Sequence, residues 1–402
     1  MSETIHLLMS GFPPTAADQV KASNWRTPRR VRWSFNHVRE LLPTATIAPA
    51  ANPATLTVTT EDLANLTFFD QHNKCRTLQN FLTACHTDAF AVLHRGKLVF
   101  DWFEGFGAID KPHITFSITK SMAGLLAGIL VDRGLLDPQE LVTEYLPELS
   151  ESAYKGAKLR HLLDMQIASD FRENYEDIRG IFMAYRRAAA WNPVEEGVET
   201  DGLRKFLTRM PNSASARHGS LYHYCSPHSD VLGWLIERVG NDSFANQFST
   251  NILQRCGGRN AGYIILDTYG APRVSGGMCL CLHDLLLIGE MVRNYGKIHG
   301  VQVVPSSWIE DFTKVNDNSN WRAQREADGP RLFDQGNYRS LWYQTGFAER
   351  EICGIGIHGQ WLWINPEKEI VIVKLASHDN EVDTATDRLM LAAFAAIADA
   401  LA

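Results

Sequence analysis

The chain has 402 residues, 45% of them hydrophobic, and a formal net charge of −7 at pH 7. That length allows one large or two ordinary domains with a sizeable core, and an acidic balance without a strongly basic block argues against a nucleic-acid or anionic-membrane partner. Seven scattered cysteines without metal-finger spacing fit a reducing compartment, and neither a signal-peptide pattern nor a run of ~18 apolar residues occurs, so the expectation is a soluble, cytoplasmic protein with no membrane contact.

In chain order, Arg26, Arg29, Arg30 and Arg32 form the densest basic cluster, read as surface or as contacts from an N-terminal arm. Arg32 to Leu42 reads as a short amphipathic helix and Pro43 to Pro53 as extended linker. Thr77 to Cys85 suits a helix. Ala89–His94 and Lys97–Phe103, joined at Arg95-Gly96, read as a β-hairpin.

The run from Phe116 to Val131 carries no charge after Lys120 and predicts a buried helix with Ser117 and Lys120 in its first turn. Residues 132–260 read as mostly helical, with Lys158–Met165 and Val231–Val239 as the clearest pieces. Gln360–Ile364 and Glu369–Leu375 flank the turn Asn365-Pro366-Glu367-Lys368 as a second hairpin, and a helix from about Ala385 to Ala402 closes the chain. Strands at both ends with helices between them predict an α/β (α+β) fold: an antiparallel sheet flanked by helices and built from both chain ends, with an inserted all-helical region. The expected division is 1–122 plus 261–402 for the sheet region and 123–260 for the insertion, with the active site at their junction.

Residues three apart on a helix share a face, roughly 5–6 Å between β-carbons, so the Lys120 amine can reach the Ser117 hydroxyl. A serine is a poor nucleophile until a neighbour takes its proton, and lysine does so once burial and the positive helix end lower its pKa. Unpaired N–H groups at that helix end can receive an oxyanion. Ser152 and Lys155 repeat the Ser-x-x-Lys spacing in a polar run, Glu151 to Gly156, which reads as solvated surface. Tyr224, two residues before Ser226, has the side chain needed to pass a proton to a leaving group. No Gly-x-Ser-x-Gly occurs, which counts against an α/β-hydrolase elbow. His218, His223 and His228 share no helical face and come with no His-Glu-x-x-His, so neither a metal nor another cofactor is expected.

Taken together, Phe116-Ser117-Ile118-Thr119-Lys120, Leu136-Asp137-Pro138, Tyr145-Leu146-Pro147-Glu148, Leu159-Arg160-His161-Leu162-Leu163, Tyr224-Cys225-Ser226 and the Leu232–Val239 run resemble the serine β-lactamase and penicillin-binding-protein superfamily, in its class C branch. More narrowly, Leu163-Asp164-Met165-Gln166-Ile167, Tyr224-Cys225-Ser226 and Gly354–Gln360 are similar to the 6-aminohexanoate-dimer (nylon-oligomer) hydrolases and related carboxylesterases. The resemblance runs from about Arg32 to the last helix. It implies a β-lactamase/transpeptidase-like fold and hydrolysis of a small amide or carboxyl ester through an acyl-enzyme. Ser117 would be the nucleophile, Lys120 its base, Tyr224 the proton shuttle, and the backbone N–H groups of Ser117 and Ile357 the oxyanion hole. Tyr175, Ser226, Arg186, Tyr343 and His358 are its substrate-binding candidates, and the family allows a homodimer.

Two departures matter. Gly354-Ile355-Gly356 replaces the Lys-Thr-Gly strand motif of true β-lactamases, so poor lactam turnover is expected. Where amide-active relatives can carry an acidic residue, this chain has Tyr185-Arg186-Arg187, which suits a carboxylate-bearing or neutral substrate. Acyl transfer from the same intermediate and a non-catalytic binding protein on the same scaffold are the competing readings.

Overall fold

The structure, a computed structural model, describes residues 7–70, 73–175, 179–193, 200–314, 317–328 and 332–402. Its main sheet has eight strands in the order Asn337–Arg339, Trp342–Gln344, Ile352–Gly356, Gln360–Asn365, Ile370–Ala376, Thr87–His94, Lys97–Phe103 and Thr57–Val58. Every neighbouring pair is antiparallel except the last, Thr57–Val58 on Lys97–Phe103. Both predicted hairpins lie at the middle of this sheet. In the first, Arg95 and Gly96 take φ of 53° and 74°, the left-handed turn that a right-twisted hairpin requires.

Period-2 alternation settles which side of the sheet each helix covers. Trp361 meets Phe394 of the closing helix Thr384–Ala400 edge-on and Trp363 stacks on it, at 5.6 and 5.5 Å between rings. The intervening Leu362, with Val371 of the next strand, faces the helix Leu282–Arg293, where Gly289 lets the two surfaces close: a β-carbon there would sit 2.5 Å from Val371. Between Ile114 and Gly262 all named elements among the described residues are helical.

Two expectations change. Arg32 to Leu42 is not one helix but a helical turn at Val31–Ser34 and a 3₁₀ turn at Val38–Glu40, with Val31, Trp33, Phe35 and Val38 all buried. Apolar side chains on every side leave no solvent face for an amphipathic helix. Pro43 to Pro53 is not a linker throughout: Thr44–Ile47 pairs with Gly262–Ile265 in a second sheet, continued by Met278–Leu280 and His113–Ile114. This partner lies too far along the chain for any local pattern to announce it.

The helix Ile118–Asp132 spans the expected boundary after residue 122 and is buried from Ile118 to Leu130. It lies between the main-sheet strands Trp342–Gln344, Ile352–Gly356 and Gln360–Asn365 on one side and the helix Ser226–Gly240 on the other. Gly124 makes room for the Ser340 carbonyl and Gly128 for Trp308, whose Nε1 donates to the Gly124 carbonyl at 3.0 Å. A β-carbon on Gly128 would lie 2.3 Å from the Trp308 ring. Helix propensity favours alanine at Gly128 by about 1 kcal/mol, yet overpacking costs about 1–3 kcal/mol. With the ring held by its hydrogen bond, Gly128→Ala is expected to destabilise the protein; a raised urea midpoint would show the Trp308 contact to be loose. No helix among the described residues is long and apolar enough to cross a membrane.

Candidate active site

Ser117 is the residue before the first turn of the Ile118–Asp132 helix, and its hydroxyl makes no capping bond to that helix. It is engaged instead by Lys120, whose Nζ lies 2.8 Å from Ser117 Oγ. Lys120 is 0% exposed, and its amine also donates to the Ser275 carbonyl at 2.5 Å. Burial brings the ammonium down from 10.5 to about 8, against the pull of the Glu173 and Asp230 carboxylates. The Tyr224 ring lies under the same amine, 5.0 Å from Nζ, and the Ser117 side chain is close enough to its hydroxyl to pull its pKa down slightly. Burial, then the neighbouring Tyr343 and Tyr338, hold the Tyr224 phenol well above its usual range, so it stays protonated.

The Lys120 acceptor is itself fixed. Ser275 N–H donates to Asp230 Oδ1 at 2.8 Å, and the Tyr185 hydroxyl donates to Asp230 Oδ2 and accepts from the Ser275 hydroxyl at 2.8 Å. All three are buried, so the network is satisfied internally rather than by solvent. Glu173 ties the opposite wall: Oε2 accepts from the Tyr175 hydroxyl at 3.2 Å, and Oε1 accepts from the Ser226 N–H at the start of the Ser226–Gly240 helix.

Across the cleft, the end of the strand Ile352–Gly356 approaches the chain before the Ser117 helix. It can do so because Gly356 has no side chain: a β-carbon would sit 2.5 Å from the Thr115 carbonyl. The next residue, Ile357, lines the cleft with Ser117. Neither the Ser117 nor the Ile357 N–H donates to another group among the described residues. Each is flanked by a left-handed residue, Phe116 at φ 45° and His358 at φ 61°. An aromatic in that region is strained by about 1–3 kcal/mol. Here the two strained rings pack on each other at 5.2 Å and on Phe35 at 4.9 and 5.0 Å, which holds both turns.

The cleft has a volume of about 540 Å³. One flank is aromatic, with Tyr222, Trp321, Phe333 and Tyr343; the other carries Glu381, Asp383 and Asp387. The structure thus brings Ser117, Tyr224, Tyr175, Tyr343 and Ile357 around one space, with Lys120 buried behind Ser117, while Arg186 and Ser226 line a smaller adjoining cavity. His358 does not reach either. It is 1% exposed, its Nδ1 donates to the His378 carbonyl at 2.7 Å, and burial pushes its pKa down to about 3, so it is a neutral core residue that supports the turn after Ile357. The second Ser-x-x-Lys divides: Lys155 is solvated as expected, but Ser152 is buried with its hydroxyl on the Leu149 carbonyl.

Glu173, Tyr185, Asp230 and Ser275 were not singled out by sequence reasoning. Asp230 carried a usable signal, a carboxylate four residues after Ser226 on an otherwise apolar helix face. Ser275 sits in a turn and carried none.

The decisive comparison is that residues 76–397 match the sequence model of the beta-lactamase family. The chain belongs to the beta-lactamase family. Within it, the chain is 32% identical over 368 residues to 6-aminohexanoate-dimer hydrolase of Paenarthrobacter ureafaciens, a match spanning 91% of this chain and 90% of that one. Solved beta-lactamase-like structures share the fold. One from Bacillus anthracis, provisionally assigned as a 6-aminohexanoate-dimer hydrolase, superposes with a TM-score of 0.86 at 22% identity, covering 96% of this chain and 98% of that one. EstCE1, a hydrolase with promiscuous acyltransferase activity, superposes with a TM-score of 0.60 at 16% identity, covering 79% and 98%. With this family and this relative, the chain is a serine hydrolase.

Proposed function

We propose that the protein hydrolyses a small amide or carboxyl ester through an acyl-enzyme on Ser117. The observation that carries this reading is the contact of 2.8 Å between a fully buried Lys120 amine and the Ser117 hydroxyl. When the amine is neutral, its lone pair faces the hydroxyl and takes the proton as Oγ attacks the carbonyl carbon. The Ser117 and Ile357 N–H groups receive the oxygen that becomes negative. Tyr224, kept protonated beside Ser117, gives a proton to the departing nitrogen or oxygen and is reprotonated from Lys120. Water then enters the cleft and attacks the acyl-enzyme by the same steps in reverse.

The reading fits the relative's name, 6-aminohexanoate-dimer hydrolase, and the aromatic flank suits a linear chain laid beside Tyr343. At the position of the missing Lys-Thr-Gly motif, Gly354 packs against the nucleophile helix, 3.0 Å from Ser121 Oγ to a β-carbon built on it. No charged anchor stands there for a lactam carboxylate.

The test is a fluorophosphonate probe followed by peptide mapping. The label is expected on Ser117 and not on buried Ser152. Across a short p-nitrophenyl ester, the linear 6-aminohexanoate dimer and a chromogenic cephalosporin, the expected order of kcat/KM is ester, amide, lactam. An unlabelled protein would favour a binding role, and rapid cephalosporin turnover would overturn the inference from Gly354.

A further inference from the structure

Beside Ser117, adjoining the large cleft, lies a small cavity of about 30 Å³, room for about two waters or one carboxylate. Ser117, Ile357, Trp191, Arg186, Arg273 and the carboxylate of Glu173 are among its walls. Arg273 is 6% exposed, and its Nε and Nη1 are buried without a hydrogen-bond partner among the described residues. Its guanidinium lies over two rings, 4.1 Å from the Trp191 centroid and 4.9 Å from that of Tyr185. With its faces covered, only its N–H edge is left to meet a ligand. Buried donors left unpaired are costly, and native interiors seldom keep them without a purpose.

The surroundings add positive charge. Arg186 lies in the same wall, 4.4 Å over the Phe182 ring. Arg26 stands behind it, and the two share a single carboxylate, Glu381, at the long distances of 3.9 and 3.5 Å. Two more carboxylates are near. Glu173, in the wall itself, has its oxygens on Tyr175 and the Ser226 N–H, and Asp230, which feels the Arg273 charge, has its oxygens on Tyr185 and the Ser275 N–H. Neither is hydrogen-bonded to the Arg273 edge. A planar guanidinium edge with two free donors matches a carboxylate.

The geometry also says which half of a substrate enters. Tyr224 lines the large cleft and not this cavity, so a leaving group protonated by Tyr224 occupies the cleft and the acyl portion points the other way. We propose that this cavity is an anion subsite for a carboxylate on the acyl portion, which makes the substrate a monoester or monoamide of a short dicarboxylic acid. The assignment of acyl side rests on Ser117 and Tyr224 acting as proposed above.

Two measurements test it. In the Ser117→Ala protein, calorimetric binding of monomethyl glutarate is expected to be at least about tenfold tighter than that of methyl valerate or methyl 5-aminovalerate. In the wild type, the kcat/KM ratio of monomethyl glutarate to methyl valerate is expected to exceed about ten, and to fall by about tenfold or more in Arg273→Gln. Because Arg273 also packs on Tyr185 and Trp191, the Ser117→Ala comparison, which leaves the arginines intact, decides the matter if Arg273→Gln does not fold. Equal binding of the three esters would overturn the subsite while leaving the nucleophile untouched. Preferred binding of the carboxylate with no hydrolysis of either ester by the wild type would support the subsite and remove Ser117 as nucleophile.

Discussion

Lys120→Met is expected to abolish turnover and at the same time to stabilise the fold at neutral pH. The loss follows from removing the only amine among the described residues that contacts Ser117 Oγ, and groups that act as one unit lose about 10³–10⁵-fold in kcat/KM when one is deleted. The gain follows from the same burial. The ammonium titrates at about 8 in the folded protein against 10.5 in the unfolded chain, so over that interval the unfolded state binds more protons and wild-type stability rises with pH. Below about pH 8 the buried charge costs about 3 kcal/mol, at 1.36 kcal/mol per unit. Part of the gain from methionine is offset by the hydrogen bond lost at the Ser275 carbonyl. The advantage of the variant should therefore be largest at pH 7 and shrink towards pH 10.5, as read by urea unfolding. Wild-type kcat/KM should rise through an apparent pKa near 8 for the same reason, since the neutral amine is the active form. Glu173 raises the Lys120 pKa, so Glu173→Gln should move that limb to lower pH. A rate independent of pH from 6 to 9 would show that Lys120 does not act as the base.

What the sequence discloses depends on how local the controlling interaction is. Ser117 and Lys120 are legible because helical geometry alone brings residues three apart together, and the two central hairpins are legible because alternation and a left-handed turn are written in consecutive residues. Thr44–Ile47 was misread because its hydrogen-bonding partner, Gly262–Ile265, lies on the far side of the helical region. His358 was misplaced for a different reason. A polar residue beside a cleft-edging strand looks like a ligand contact, but its backbone takes φ 61° and turns the ring into Phe35 and Phe116. The groups that tune the site are the least legible of all. The charges of Glu173, Asp230 and Arg273 and the carbonyl of Ser275 come from a loop, a helix and a turn with no common period, and only the fold gathers them around one amine.

Tyr224→Phe is expected to separate amide from ester hydrolysis. A departing amine cannot leave as an anion and must be protonated as the C–N bond breaks, whereas p-nitrophenolate leaves without help. If Tyr224 supplies that proton, the variant should lose about 10²–10⁴-fold in kcat/KM on an amide and less than about tenfold on a p-nitrophenyl ester. The substitution keeps the ring, and with it the contact under Lys120 at 5.0 Å and the stacking on Tyr343 at 6.4 Å, so the fold and the amine should hold their places. What is removed is the hydroxyl that stands beside Ser117. An equal loss on both substrates would mean that this hydroxyl orients Ser117 for attack rather than serving the leaving group. Undiminished amide turnover would take Tyr224 out of the chemistry, and the proton would then have to return directly from Lys120, the only other donor within reach of Ser117 Oγ among the described residues.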